Sequence, residues 1–530
     1  MALAVAFSLS ALLFFFWTWR WPLIGDASLM HYIVFLMERG WAPYRDFGDM
    51  NMPGSYLVEL AGMHVFGMGA LAWRLFDFTL LGLAAVAFFV IARRGQWLAG
   101  LFAASLFILI HGRDGVEQGG QRDLTMAVCL IAGTALLAAA LRAGAWSKRV
   151  PWLAAAFGLL SGVALAIKPS IGPLSLVQWG LAAWALGSGV DQRRPMRARG
   201  VAWRYAAPAV AGWLLAPAVV VVFLVREHAL AAFGATLREI VPYYAGLGHR
   251  PLGYILLHGI SPLQPLVIIW FLLLALRPLS VDWRRDWERN LLVAGALFSL
   301  ISCIVQARAL PYYRYPLLAF LLPLMGLDLA RTFAAWARTV ASARMRTAGT
   351  LSALALGFAG FFLAPQSAVL IHRYRWWQTD FIASLEENLL ALGGAGLSHH
   401  VQCIDTNRGC GNVLYDMRLE PVTGVLSDFL LLGKSDEAAV RETRAEFSRQ
   451  VENSPPWVIV VSSPLYLDAL DDYRKLDRWP AFASFLRDDY VLETQWTPKR
   501  MQRLWSREEL PAGYRVYVLR TYVQRGIARR

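Results

Sequence analysis

Charged residues are scarce in this sequence, because Asp, Glu, Lys and Arg together make up only 17% of its 530 residues. Hydrophobic residues account for 57%, and 22 residues are tryptophan. The mean hydropathy is +0.44. This composition excludes an ordinary soluble globular protein and indicates a protein that crosses a membrane several times.

A glycine-rich phosphate loop of the nucleotide-binding type is absent, which disfavours a nucleotide-sugar donor bound on the inner face of the membrane. Acidic residues are outnumbered, with 37 against 51 Lys and Arg, so the formal net charge is +14. Such an excess can indicate a nucleic-acid partner in a soluble protein. Here the arginines cluster in short loops between apolar runs, so membrane topology explains them better and no nucleic-acid partner is expected.

Apolar runs of about 15–22 residues, close to the length that crosses a bilayer as a helix, occur about eleven times. We therefore predict a polytopic α-helical membrane protein with about eleven spans. The predicted spans are Leu3–Trp19, Ala70–Ala92, Leu98–His111, Leu124–Leu141, Val150–Ile167, Ile171–Val190, Ala206–Val225, Pro262–Leu276, Leu291–Val305, Pro316–Ala330 and Ala348–Leu363. The short apolar segment Pro53–Met68 contains Glu59 and His64, so we predict a helix at the membrane interface.

Arginine and lysine are enriched in every second loop, as the positive-inside rule requires. Counted from a cytoplasmic N-terminus, the inner loops include the runs 193–204, 277–289 and 331–346. The long polar loop after the first span and everything after Leu363 then lie outside. All of the chemically interesting polar sequence is thereby predicted to lie on one face of the membrane.

The composition changes after Pro365, so we predict a membrane domain over residues 1–364 and an extracytoplasmic α/β domain over 365–530. Two segments of this second domain are predicted to be helical, Glu437–Gln450 and Pro480–Arg487. Five are predicted to be strands: Val401–Asp405, Val413–Leu419, Trp457–Ser462, Tyr490–Gln495 and Tyr514–Arg520.

Only four cysteines are present. Cys129 and Cys303 lie in predicted spans, where small apolar packing residues are the simplest interpretation. Cys403 and Cys410 lie in the predicted outer domain, where oxidation is allowed, so a disulfide is favoured over two free thiols. No histidines stand at ligand spacing from this pair, which makes zinc a weak interpretation.

The loop from Trp21 to Gly54 carries three aspartates between two apolar runs: Asp26, Asp46 and Asp49. Carboxylates held against a membrane surface are costly, so they usually serve chemistry, ion binding or a polar cavity. We therefore predict that this loop is the reaction centre.

Three motifs resemble a known family. They are G-D-A-S at Gly25–Ser28, P-Y-R-D-F-G-D-M-N-M-P-G at Pro43–Gly54, and G-Q-R-D at Gly120–Asp123. They resemble the first and second outer loops of GT-C superfamily membrane glycosyltransferases, and most closely the Rgt-like or family-39-like bacterial members, which are related to protein O-mannosyltransferases and aminoarabinose transferases. The resemblance covers about the first 330 residues in layout. Many relatives have Asp-Glu where this chain has Asp26-Ala27.

The resemblance implies transfer of a sugar from a polyprenyl-phosphate-linked donor to a glycan, lipid or protein acceptor, outside the bacterial inner membrane. It further implies that Asp26 is the general base, that Asp123 orients acceptor or donor, and that a divalent metal cofactor is possible. Asp26 could instead only cap the helix that follows it, and the same alternative applies to Asp123.

Other residues of the outer loops are candidates for binding or for shaping the site. Arg45, Asp46 and Asp49 are expected to bind the acceptor or to shape the first loop. Four cations are candidates for the donor phosphate: Arg122, Lys168, Arg250 and Arg314. Lys168 could instead reach lipid head groups, and Arg250 could be a solvated arginine of a mobile lid.

Two other classes of protein remain open. A transporter or flippase of lipid-linked sugars should carry ionisable residues near the bilayer midplane, whereas the charges here are expected at span ends. A membrane-anchored protein that binds cell-envelope polymer would suit the C-terminal domain. It would leave the aspartates of the first loop unexplained.

Overall fold

The computed structural model describes residues 2–93, 96–144, 146–188, 195–260, 263–276, 286–339, 365–434, 436–465, 472–498 and 512–524. Within these ranges the chain forms a helical membrane part and a C-terminal domain with one sheet. The predicted span Ala348–Leu363 and the predicted domain boundary at residue 364 lie outside the described ranges.

The predicted polytopic helical architecture is confirmed, and the described residues of the other ten predicted spans overlap helices. The α-helices of five or more residues in this part are α1 (Ala2–Thr18), α2 (Asp26–Glu38), α3 (Pro53–Phe66), α4 (Ala70–Ala92), α5 (Trp97–Asp114), α6 (Arg122–Ala143), α7 (Val150–Ile167), α8 (Gly172–Ser188), α9 (Pro195–Arg226), α10 (Leu230–Arg238), α11 (Ile240–Gly246), α12 (Gln264–Leu276), α13 (Trp287–Val305) and α14 (Tyr315–Thr339). Among the described residues, five helices are long and apolar enough to cross a membrane: α4, α6, α7, Trp203–Arg226 of α9, and α13.

Small residues let helices α7 and α9 pack backbone against backbone. A Cβ atom added at Gly158 would lie 2.0 Å from the carbonyl oxygen of Ala209. One added at Gly212 would lie 2.1 Å from the carbonyl oxygen of Ala155. Lipid supplies little hydrophobic drive for helix association, so close approach through small residues is a main source of stability in a membrane.

Helix α2 is enclosed on all sides. Every residue from Met30 to Leu36 is buried, which agrees with a helix whose apolar residues are not confined to one face. Tyr32 packs in a cluster with Val401 of the C-terminal domain, while Ile33 packs in a cluster with Phe47 of the first loop. The helix that begins at Asp26 is thereby fixed between the first loop and the C-terminal domain.

The C-terminal domain is built on a four-stranded sheet of order β1-β2-β4-β3. Strands β1 (Val401–Ile404) and β2 (Val458–Ser462) are parallel, whereas β4 (Tyr514–Leu519) runs antiparallel to β2 and to β3 (Tyr490–Trp496). The described helices of the domain are α15 (Pro365–Leu392), α16 (Cys410–Asp416), α17 (Ala438–Asn453), α18 (Pro480–Asp489) and α19 (Arg520–Gln524).

One of the predicted strands is wrong, because Val413–Leu419 is not a strand. The chain forms helix α16 over Cys410–Asp416. The Asp405 carboxylate accepts the backbone N–H of Cys410 at the start of this helix, at 3.0 Å. The apolar and aromatic residues of the segment favour strand only where a pleated surface is available to them.

Candidate active site

The Asp26 carboxylate is the meeting point of three separate parts of the chain. Asp26 is the first residue of α2 and follows Gly25, whose φ of 65° suits glycine. Its Oδ1 accepts a hydrogen bond from Asn407 Nδ2 at 2.6 Å, and its Oδ2 accepts one from Gln121 Nε2 at 3.2 Å. Arg122 Nη2 lies 3.4 Å from Oδ2. These contacts link the Asp26 carboxylate to the loop before α6 and to the C-terminal domain. They are additional to the favourable interaction of an acidic side chain with the N-terminus of its own helix.

Residues of the G-Q-R-D motif at the start of α6 contact Asp26 and also form an ion pair with Lys168. Gln121 and Arg122 contact Asp26, while the next residue, Asp123, pairs with Lys168. The side chains of Arg122 and Asp26 are 21% and 17% exposed, so solvent or a ligand can reach them. The first and second loops, which the sequence analysis considered separately, therefore form one site.

Lys168 closes the other side of this site. Its Nζ lies 2.6 Å from Asp123 Oδ1 and 4.4 Å from the ring centroid of Tyr313. Burial lowers the pKa of the Lys168 ammonium, while the Asp123 charge beside it opposes that change. Lys168 thus points toward a carboxylate of the site.

Arg314 and Arg250 lie in different surroundings. Arg314 forms an ion pair with Asp114 through two nitrogens and donates to the Gly259 carbonyl oxygen at 3.1 Å. Arg250 is exposed, and its guanidinium lies 5.1 Å from the Tyr254 ring centroid. Neither arginine has a described contact with Asp26 or Asp123.

Arg45 and Asp46 form an exposed ion pair in the first loop. Arg45 Nε lies 2.9 Å from Asp46 Oδ1, and Asp46 Oδ2 accepts the Ala42 N–H at 2.7 Å. Arg45 also donates to the Glu227 carbonyl oxygen at 2.8 Å. These contacts close a turn and attach it to the end of α9, which agrees with a loop-shaping role.

Asp49 is buried, with only 4% of its surface exposed. Its Oδ2 accepts hydrogen bonds from Tyr56 at 2.6 Å and from Asn51 at 2.7 Å. Burial raises the pKa of the Asp49 carboxyl, although both hydrogen bonds and the charge of Arg122 act in the opposite sense. Asp49 therefore holds the shape of the first loop in contact with α3.

Asn407 is a site residue that sequence reasoning missed. A buried pair on the neighbouring part of α2, between His31 Nδ1 and Glu59 Oε1 at 2.5 Å, was also not predicted. Asn407 is 381 residues from Asp26 in sequence, so no local pattern could connect them. Gln121 lies inside the G-Q-R-D motif, and its side-chain amide could have been predicted as a hydrogen-bond donor to the site.

Two charged residues lie in the first part of the predicted span Ala70–Ala92, close to the second outer loop. Arg74 and Asp77 lie inside α4, where Arg74 Nη1 is 2.5 Å from Asp77 Oδ2. Asp77 also accepts the Gly120 N–H at 2.6 Å and lies 3.2 Å from His111 Nε2. These buried contacts join α4 to α5 and to the G-Q-R-D loop.

The residues around Asp26 do not fit a metal ion. Ala27 offers no ligand, and N–H groups of Asn407, Gln121 and Arg122 contact the Asp26 carboxylate. No group of three or more His, Cys, Asp or Glu side chains that could hold a metal occurs in the described part of the chain.

The overall fold is similar to those of solved membrane-protein structures, in line with the GT-C-like fold class predicted from the sequence. Two crystal structures of ArnT from Cupriavidus metallidurans share it, each match covering 97% of both chains. The structure bound to undecaprenyl phosphate has a TM-score of 0.56 at 13% identity, and the apo structure 0.53 at 15%.

A more distant likeness extends to an archaeal protein. The Archaeoglobus fulgidus oligosaccharyltransferase tethered with an acceptor peptide containing the NVT sequon has a TM-score of 0.51 at 13% identity. That match covers 86% of this chain and 68% of the other. No protein-family model and no curated protein matches the sequence. At 13–15% identity, the similarity to these structures establishes the fold alone.

Proposed function

We propose that this chain is an integral-membrane glycosyltransferase that moves a sugar from a polyprenyl-phosphate-linked donor to an acceptor. The acceptor is a glycan, a lipid or a protein. The observation that carries the proposal is the convergence of Gln121 and Arg122 on Asp26, beside the Asp123–Lys168 pair. The likeness in fold to ArnT, which was crystallised with undecaprenyl phosphate, supports the class of donor.

Asp26 is the proposed general base. An acceptor hydroxyl is a poor nucleophile, so a carboxylate must take the hydroxyl proton. At the same time the hydroxyl oxygen bonds to the anomeric carbon of the sugar. The bond between that carbon and the phosphate oxygen breaks, and the proton remains on Asp26 until solvent removes it. The contacts with Gln121 and Arg122 hold the carboxylate in one orientation for this step.

Arg122 and Lys168 are the favoured partners of the leaving phosphate. The polyprenyl phosphate departs as an anion, so it needs cations rather than a general acid. Both side chains are partly exposed at the site, at 21% and 22%. Asp123 then orients Lys168. Arg314 and Arg250 are the weaker candidates, because one is committed to Asp114 and the other lies in an exposed loop.

The reaction is proposed to occur on the outer face of the bacterial inner membrane. The alternating arginine bias supports a cytoplasmic N-terminus and a periplasmic C-terminal domain. On that face the polyprenyl chain lies in the membrane, while its phosphate meets the polar loops.

Mass spectrometry of envelope glycans from cells with and without this chain tests the proposal. The wild-type chain is expected to add one sugar species. Asp26→Asn keeps the shape of the side chain but removes its basicity, so it should slow transfer about 100-fold or more. Asp46→Asn is the matched control, and it should be mild because Asp46 only shapes its turn. Full activity of Asp26→Asn with loss in Asp49→Asn would move the base to Asp49.

A further inference from the structure

We propose that the C-terminal domain supplies a positioning residue, Asn407, to the active site through the disulfide-closed loop 403–410. The inference rests on the proposed function, because it assigns Asn407 a role toward the base Asp26. The C-terminal domain then forms part of the catalytic unit.

Loop 403–410 is held in one shape from inside. A disulfide joins Cys403 to Cys410, whose Cα atoms lie 6.1 Å apart. The Asp405 carboxylate accepts the backbone N–H groups of residues 408, 409 and 410 at 3.2, 3.2 and 3.0 Å. Gly409 lies so close to the Phe381 ring that an added Cβ atom would meet it at 2.6 Å. The tip of the loop therefore has little freedom to move away from Asp26.

Asn407 stands at this tip in a left-handed conformation, with φ of 58°. Only its amide nitrogen can donate to a carboxylate, so the 2.6 Å contact with Asp26 Oδ1 fixes the orientation of the amide. Its Oδ1 is buried and has no hydrogen-bond partner among the described residues. A buried acceptor without a partner is costly. A hydrogen-bond donor of a bound acceptor, other than the hydroxyl whose proton goes to Asp26, would remove that cost by bonding to Asn407 Oδ1.

Docking of the domain does not depend on Asn407. Asn412 Nδ2 donates to the Leu23 carbonyl oxygen at 2.9 Å, and Ser28 Oγ donates to Asn412 Oδ1 at 2.8 Å. Tyr32 also donates to the Leu419 carbonyl oxygen at 3.1 Å. These bonds, with the shared apolar core, hold α2 against the domain. The Asn407 bond is thus available for orienting the base.

Asn407→Gly and Asn407→Asp test this role. Glycine and aspartate both tolerate the left-handed conformation, so neither change strains the backbone. Asn407→Gly removes the bond to a charged group and should lower the rate of transfer about 10- to 100-fold. Asn407→Asp sets a second carboxylate against Asp26 and should lower the rate at least as much. The affinity of the purified protein for undecaprenyl phosphate should stay unchanged in both.

His399→Gly is the matched control, because His399 also has a left-handed φ, of 63°, and its side chain is 61% exposed. Transfer is measured by mass spectrometry of envelope glycans, and stability by the Tm of the full-length protein in detergent. Asn407→Gly with the same rate as His399→Gly would overturn the inference. The inference would also be overturned if the rate fell together with the undecaprenyl phosphate affinity or the Tm. Such a joint loss would mean that Asn407 has a structural role. Absence of transfer by the wild type removes the proposed function and this inference together, whereas the other outcomes leave the proposed function standing.

Discussion

Lys168 Nζ lies 2.6 Å from Asp123 Oδ1, and this ion pair joins the end of α7 to the start of α6. The Asp123 side chain is only 4% exposed, so its charge depends on Lys168 for compensation. A phosphate that binds Lys168 must share the ammonium with this carboxylate. The pair can therefore hold the cation in place before the donor arrives.

The first prediction concerns Lys168→Gln. Breaking a buried pair by removing one partner leaves an uncompensated charge, so the change should cost about 3–5 kcal/mol of stability. Asp123→Asn combined with Lys168→Gln should recover most of that stability. Undecaprenyl phosphate should bind weakly to both variants, because both lack the ammonium. Thermal unfolding and a binding titration measure the two effects, and wild-type binding by the double variant would remove Lys168 from the phosphate site.

The second prediction compares two contacts of the first loop. Tyr56→Phe leaves the buried Asp49 carboxylate without one of its donors, so it should cost about 1–3 kcal/mol. Arg45→Ala removes an exposed ion pair and should change stability by less than about 1 kcal/mol. Thermal unfolding of both variants in the same detergent measures the difference. Equal destabilisation by the two changes would contradict the description of Asp49 as the anchor of this loop.

The membrane helices could be predicted from the sequence because lipid imposes a strong rule. Every backbone polar group inside a bilayer must be paired, so long apolar runs become helices. The predicted span Val150–Ile167 agrees with α7 at both ends. Asp26 and Asp123 could be singled out because short motifs mark them. The interior pair Arg74–Asp77 shows the limit of hydropathy, since apolar neighbours conceal charges that satisfy each other.

Contacts between distant segments could not be predicted in this way. The bond from Asn407 to Asp26 spans 381 residues and depends on how the C-terminal domain docks on α2. The predicted strand Val413–Leu419 was wrong for a related reason, because the turn at Asp405 starts a helix there. Local patterns encode secondary structure and motifs, whereas the composition of a site depends on tertiary packing.

The third prediction concerns orientation. The arginine bias predicts that the segment around Arg199, in the first turns of α9, is cytoplasmic and that the C-terminus is periplasmic. An alkaline phosphatase fused after Arg530 should be active, since that enzyme needs the oxidising periplasm for its disulfides. The same fusion after Arg199 should be silent. The reverse pattern would place the Asp26 site in the cytoplasm and contradict a periplasmic reaction.

The last prediction tests how the C-terminal domain meets the first loop. A Cβ atom added at Gly424 would lie 1.8 Å from the Asp46 carbonyl oxygen, and backbone atoms cannot give way as a flexible side chain can. Gly424→Ala should therefore push the domain away from the loop, at a cost of about 1–3 kcal/mol.

Transfer should fall as well in Gly424→Ala, because displacement of the domain draws Asn407 back from Asp26. Gly411→Ala is the control, since an added Cβ atom meets nothing within 4 Å there, and alanine favours the helix by up to about 1 kcal/mol. The Tm and the transfer rate of both variants decide the matter. If Gly424→Ala kept the wild-type Tm and rate, the domain would not dock on the first loop through this contact. The contacts of the domain with Leu23, Ser28 and Tyr32 would then be what holds Asn407 near Asp26.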